Sequence, residues 1–162
     1  IDADEYPKLE AWVAGFSHAD GLLAIRPGAP DRPAEIAWTH ARGVPECPSP
    51  LFLEGRVYTV KNGGLATCVD AATGALVYEG RLDARGPCYA SPVAGGGVLY
   101  AASARGQVTV WAAGDELRVL ARNDLGERIT ATPALAGDDV IVRTQDHVWA
   151  FGASEKSGAG AR

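Results

Sequence analysis

The chain has 162 residues with 15 Lys/Arg against 20 Asp/Glu, a formal charge of −5, and neither a cluster of five basic residues nor a long apolar run. That balance argues against nucleic acid or an anionic membrane surface as a partner, and no stretch approaches the ~20 apolar residues of a membrane span. With 20 Gly, 10 Pro and no Met, the composition points to one all-β domain of short strands joined by turns.

In chain order, "IDADEYPKLEAWVAGF" opens on a helical pattern without the basic and apolar regions of a signal peptide. We assign residues 1–20 to an N-terminal helix or connector. "GFSHADG" then places Ser17, His18 and Asp20 side by side, but a catalytic triad assembles in space, so a polar connector is the simpler reading. From Gly21 to Gly43 the sequence supplies two strands.

A repeat follows. "SPLFLEGRVY" (Ser49–Tyr58) returns as "SPVAGGGVLY" (Ser91–Tyr100), a step of 42 residues, and "TPALAGDDVIV" starts 41 residues later at Thr132. Gly21, Gly64 and Gly106 keep the same rhythm ahead of each Ser/Thr-Pro. Every unit reads as four strands separated by Gly-bearing turns. Asn62-Gly63 predicts a tight hairpin turn with positive φ at both residues. Units of four strands and ~40–45 residues are β-propeller blades. The expected fold is therefore an all-β propeller of four-stranded antiparallel blades, partial in this chain. It has two complete blades (from Ser49 and Ser91) and two incomplete ones, and the last lacks its fourth strand. The propeller segment is 21–152, and 153–162 is small, polar and expected to be disordered. Such an arc is completed by the remainder of a propeller, by self-association or by a protein partner.

The chemistry-bearing residues are sparse. Cys47, Cys68 and Cys88 form neither a disulfide framework nor a CxxC metal site. Cys68 falls on an inward strand position. Cys47 and Cys88 occupy corresponding connectors, compatible with a bridge or with two small separate thiols. His18, His40 and His147 share no ligand spacing and are expected at surface or turn positions. The connectors "RGVPECPS", "DARGPCYAS" and "LGERITAT" lead into the innermost strands. Arg42, Glu46, Tyr89 and Arg128, with Arg143 on the last apolar strand, are the candidate binding residues at the channel mouth, and the alternative is solvated turn charges.

"CVDAATGALVY" resembles the repeat of the quinoprotein-like (PQQ-like) propellers, with Asp70, Thr73, Gly74 and Tyr78 on the motif. Its local physics is that of a turn. Asp70 and Thr73 bond backbone N–H groups, Gly74 takes a left-handed conformation, and Tyr78 packs on a neighbouring blade. Over most of its length the chain is similar to the C-terminal portion of bacterial PQQ-like repeat proteins. That resemblance implies a periplasmic or secreted location and, in many relatives, EF-hands before the propeller. Ile1 and Glu5 would then be the last positions of a calcium loop, with the other ligands upstream. The sequence has neither the adjacent cysteines of PQQ dehydrogenases nor a catalytic Asp in a recognisable context. The expectation is a non-catalytic propeller segment serving as a binding or protein-interaction scaffold, without PQQ and with no metal site of its own. The alternatives are part of a quinoprotein dehydrogenase with its active site in other blades, and a structural partner in an envelope assembly similar to the propeller lipoprotein of outer-membrane assembly.

Overall fold

The structure is a computed structural model that describes residues 21–152. The expected N-terminal helix, Glu5, the Ser-His-Asp stretch and the tail 153–162 lie outside the described residues. The chain divides into two units, residues 1–42 and residues from Gly43 onward. Among the described residues no helix is long and apolar enough to cross a membrane.

In the first unit, β1 (Leu22–Arg26) pairs antiparallel with β2 (Glu35–His40), with a register shift between Ala24 and Ile25. The loop is closed by reciprocal backbone bonds between Ala29 and Arg32 of 2.8 and 3.0 Å, and an Arg26–Glu35 ion pair clamps the strand ends.

Among its described residues the second unit contains two complete four-stranded antiparallel sheets and one three-stranded sheet. The first consists of β3 (Leu51–Leu53), β4 (Arg56–Lys61), β5 (Leu65–Asp70) and β6 (Leu76–Arg81). The second is β7 (Val93–Gly95), β8 (Val98–Ala102), β9 (Gln107–Ala112) and β10 (Val119–Asp124). The third is β11 (Ala134–Ala136), β12 (Asp139–Arg143) and β13 (Val148–Phe151). Every sheet runs up and down in sequence order, as the repeat predicts. The central strands β4 (RVYTVK), β5 (LATCVD) and β9 (QVTVWA) are near-continuous runs of apolar and β-branched residues, buried or half-buried at successive positions, as strands covered on both faces require.

Two details differ from the sequence reading. The fourth strand of the second blade was expected over "ELRVLA" but spans Val119–Asp124, with a register shift between Val119 and Ala121. Leu117 instead belongs to the turn, where its Cδ2 lies 2.5 Å from where a Cβ on Gly80 would stand. The turn after β4 also differs. Positive φ occurs at Gly63 (78°) and Gly64 (68°) but not at Asn62, and the turn closes through the Gly64 N–H on the Lys61 carbonyl at 3.0 Å. Two consecutive glycines remove the need for Asn62 to enter the left-handed region. Its side chain is left free for another task.

The core lies between blades. Tyr58, Val60, Ala66, Cys68, Leu82 and Ala84 of the first blade and its exit segment pack on Leu99, Ala101 and Trp111 of the second. A smaller cluster joins Ala90, Ala102 and Val108 to Ile129 and Val142. Trp111 is fully buried, and its ring contributes about 3 kcal/mol of apolar burial. The blade motif stitches this interface. Asp70 Oδ1 accepts from the N–H groups of Ala72 and Thr73 and from the Thr73 hydroxyl, at 2.9–3.1 Å. Gly74, at φ 71°, donates its N–H to the Asp70 carbonyl at 2.8 Å. Asp70 Oδ2 pairs with Arg56 at 2.9 Å, and Arg56 reaches on to Asp115 of the second blade at 2.8 Å.

The innermost strands are linked by a hydroxyl relay. Ser91 Oγ accepts the N–H of Ser49 at 2.8 Å, and Thr132 Oγ1 accepts the N–H of Ser91 at 3.0 Å. Each hydroxyl precedes a proline, which holds its residue extended and leaves that N–H free for the neighbouring blade.

Candidate functional site

In each complete blade the connector that enters the blade meets the hairpin between its second and third strands, and together they form one rim. Around Cys88, the Asn62 side-chain oxygen accepts the Cys88 N–H at 2.8 Å, the Gly63 N–H reaches the Gly86 carbonyl at 2.9 Å, and the Ala104 N–H reaches the Pro87 carbonyl at 2.8 Å. Asn62 thus ties one blade's hairpin to the next connector instead of shaping its own turn.

Carboxylates in the connectors cap these hairpins. Glu46 accepts the Asn62 N–H at 3.3 Å and lies 3.8 Å from the Lys61 ammonium. Glu127 accepts from the Thr144 hydroxyl at 2.6 Å and the Asp146 N–H at 3.2 Å, and contacts His147 Nδ1 at 2.6 Å. The Thr144 hydroxyl bond, helped by the Asp146 N–H and His147, holds the Glu127 carboxyl below the usual carboxylate range. Trp149 Nε1 donates to Thr144 Oγ1 at 3.1 Å and completes the cluster. His147 is an exposed hairpin residue, as expected. His40 ends β2 half-buried, its Nε2 without a partner among the described residues.

Of the residues picked from the sequence, Arg128 and Arg143 come together. They line one polar groove of about 290 Å³ with Thr130, Thr144 and Gln145. Arg42 is exposed at the end of the first unit, and Tyr89 is exposed beside Cys88. Glu46 is committed to its hairpin. Cys47, Cys68 and Cys88 are free thiols, the first exposed and the other two buried. Burial pushes the Cys68 thiol up to about 11 and raises that of Cys88. Among the described residues no group of three or more His, Cys, Asp or Glu is placed to hold a metal ion.

A second cavity went unnoticed in the sequence. Asp83, Arg85, Arg105, Gln107, Arg122 and Asp124 line a polar space of about 460 Å³ beside the connector and hairpin of the second blade. Arg122 is engaged, at 2.7 Å from Asp83 and 3.0 Å from the Leu82 carbonyl. Arg85 and Arg105 make no ion pair with any described residue. The "ARG" of both "DARGPC" and "SARGQ" was the available signal. Their convergence depends on Gly86 at φ 81°, because a Cβ there would stand 2.7 Å from Arg105 Cγ.

The comparisons with known proteins agree with this architecture. The profile of a family described as outer membrane protein assembly factor BamB matches residues 28–110. Among solved structures, the chain is similar to BamB from Moraxella catarrhalis, with a TM-score of 0.64 and 16% identity over 83% of this chain and 41% of that one. It is similar to the quinohemoprotein alcohol dehydrogenase ADHIIG from Pseudomonas putida HK5, with a TM-score of 0.55 and 16% identity over 66% of this chain and 19% of that one. It is also similar to the β-propeller domain of Cps50 (Swd1) from Myceliophteria thermophila, with a TM-score of 0.63 and 11% identity over 83% of this chain and 49% of that one. The chain therefore spans less than half the length of each of these structures. No curated protein matches its sequence. At these identities the structural likenesses establish the propeller fold, and the same fold carries unrelated activities.

Proposed function

Because the chain belongs to the PQQ-like propeller family described as outer membrane protein assembly factor BamB, we propose that it is a non-catalytic propeller segment that binds a protein partner in the cell envelope. The observation that carries this reading is the rim. Connectors and hairpins are locked to one another by backbone bonds, while Arg128 and Arg143 line one groove and neither is neutralised by an ion pair with a described residue. Glu127, the acidic residue adjoining Arg128, is held by Thr144, Asp146 and His147. A rigid surface with unpaired guanidinium groups suits an acidic protein surface, since arginine pairs with carboxylates bidentately and rim charges select partners.

The test is capture of an envelope partner by the full chain. Replacing Arg128→Glu together with Arg143→Glu, both on exposed positions, is expected to lower capture about tenfold at unchanged stability. Undiminished capture would remove these arginines from the interface. Alcohol-dependent dye reduction by the chain with PQQ and calcium would overturn the non-catalytic reading.

A further inference from the structure

Asn62-Gly63 is the one Asn-Gly pair in the chain. The matching hairpin of the second blade is built without it, from Ala104, Arg105 and Gly106. It closes in the same way, through the Gly106 N–H on the Ser103 carbonyl at 3.0 Å. In the first blade the pair carries a chemical consequence. Gly63 has no side chain to shield its nitrogen, and Asn62 is exposed, so water and base reach the amide. An asparagine before glycine loses its amide without a catalyst. The glycine nitrogen gives up its proton and attacks the side-chain carbonyl carbon, a succinimide ring closes, and ammonia leaves. Water then opens the ring to aspartate or to isoaspartate.

The folded rim withholds the reacting groups. The Gly63 N–H is held by the Gly86 carbonyl at 2.9 Å, so its proton is not free to leave. Asn62 Oδ1 is fixed on the Cys88 N–H at 2.8 Å, and the Asn62 N–H on Glu46 at 3.3 Å. The Arg81 guanidinium reaches the Gly63 carbonyl at 3.3 Å, and the Leu82 N–H reaches the Gly64 carbonyl at 2.8 Å. The Cys88 N–H polarises the Asn62 amide, but the nucleophile is what the clamp removes. Attack requires the hairpin to part from the connector, a local opening well short of global unfolding.

We infer that Asn62 is a site of spontaneous deamidation whose rate is set by opening of this rim, and whose isoaspartate product unlocks it. An aspartate at 62 keeps an oxygen in reach of the Cys88 N–H. Isoaspartate does not: the side-chain methylene enters the main chain, and the carboxylate left on Cα is one atom too short to reach Cys88. The added main-chain atom also separates the Gly63 N–H from its position on Gly86, because the remaining backbone dimensions are fixed. The connector is then released at Cys88, whose side chain is buried in the closed rim. This inference does not rest on the protein-binding reading.

The test incubates the full chain at mildly alkaline pH, folded and in urea, and follows residue 62 by peptide mass mapping. Conversion is expected to be at least about tenfold slower in the folded chain. Gly86→Ala strains the connector that holds the Gly63 N–H, since Gly86 sits at φ 81°. It should quicken folded-state conversion by about fivefold or more, in step with amide exchange at Gly63. Should Gly86→Ala unfold the chain, Glu46→Ala carries the same test, as an exposed change that leaves the core intact. In isoaspartate chain separated by chromatography, Cys88 should react with a thiol reagent at least about tenfold faster than in the parent. Equal conversion in the folded chain and in urea would overturn the inference, as would no conversion in urea. So would a conversion rate that stays fixed while Gly63 exchange quickens, or a Cys88 as slow in the isoaspartate chain as in the parent.

Discussion

Trp111 Nε1 donates a hydrogen bond of 3.2 Å to the hydroxyl oxygen of Tyr78, joining the third strand of one blade to the fourth strand of the blade before it. The Tyr58 ring lies 6.5 Å away, and its hydroxyl accepts the Gly114 N–H at 3.0 Å. Two phenols of the first blade thus satisfy polar groups that the second blade buries. Tyr78→Phe keeps the ring but leaves the indole N–H unpaired, and should cost about 1–2 kcal/mol by urea denaturation. Trp111→Ala empties the interface and should cost about 3–5 kcal/mol. Equal losses for the two variants would show that ring packing is not the larger contribution.

The blade motif predicts a pH dependence. Hydrogen bonds from Thr73 hold the Asp70 carboxyl below its ordinary value, and Thr144 does the same for Glu127. A carboxyl depressed in the folded state contributes stability above its unfolded pKa and loses it as pH falls through the folded value. Thermal midpoints should therefore be flat from pH 7 to about 5 and fall below about 4. Asp70→Asn combined with Glu127→Gln should lower the neutral-pH midpoint and flatten the acid slope relative to the parent. An unchanged slope would assign the acid loss to other carboxylates.

Two glycines separate conformational strain from crowding. Gly55, at φ 77°, has open space around its missing side chain, whereas a Cβ on Gly64, at φ 68°, would stand 2.7 Å from the Ala84 Cβ. Gly55→Ala should cost about 1 kcal/mol from the left-handed conformation alone. Gly64→Ala should cost about 3 kcal/mol, because overpacking adds to that strain. Chemical denaturation of both variants reads the difference directly.

The hydroxyl relay gives a side-chain-specific test. Ser91→Ala removes the acceptor for the Ser49 N–H and should cost about 1 kcal/mol, while Ser91→Thr retains the hydroxyl and should restore most of it. Amide exchange at Ser49 should quicken in the alanine variant only.

Thiol reagents should find one fast cysteine, Cys47, and two slow ones, Cys68 and Cys88, which burial shields and holds in the thiol form. In denaturant all three should react alike. Two fast equivalents under native conditions would contradict the buried placement of Cys88.

The Ser/Thr-Pro spacing, the Asp-x-x-Thr-Gly turn and the Gly-bearing turns between short strands determined the propeller by themselves. Each is a local requirement: extended backbone before proline, an Asx-type turn, and positive φ at hairpin glycines. Arg128, on a connector, and Arg143, on the last apolar strand, could be picked singly from the repeat, but that they line one groove is a tertiary fact. What sequence could not decide were relations between residues far apart in the chain. Asn62 looked like a turn former, but Gly63 and Gly64 take the positive φ angles and Asn62 caps Cys88 instead. Leu117 looked like part of a strand, yet the absence of a side chain on Gly80 draws it into the blade interface. The cavity at Arg85 and Arg105 depends on Gly86 leaving room for one arginine. Such sites form where blades meet, and only tertiary packing sets those distances.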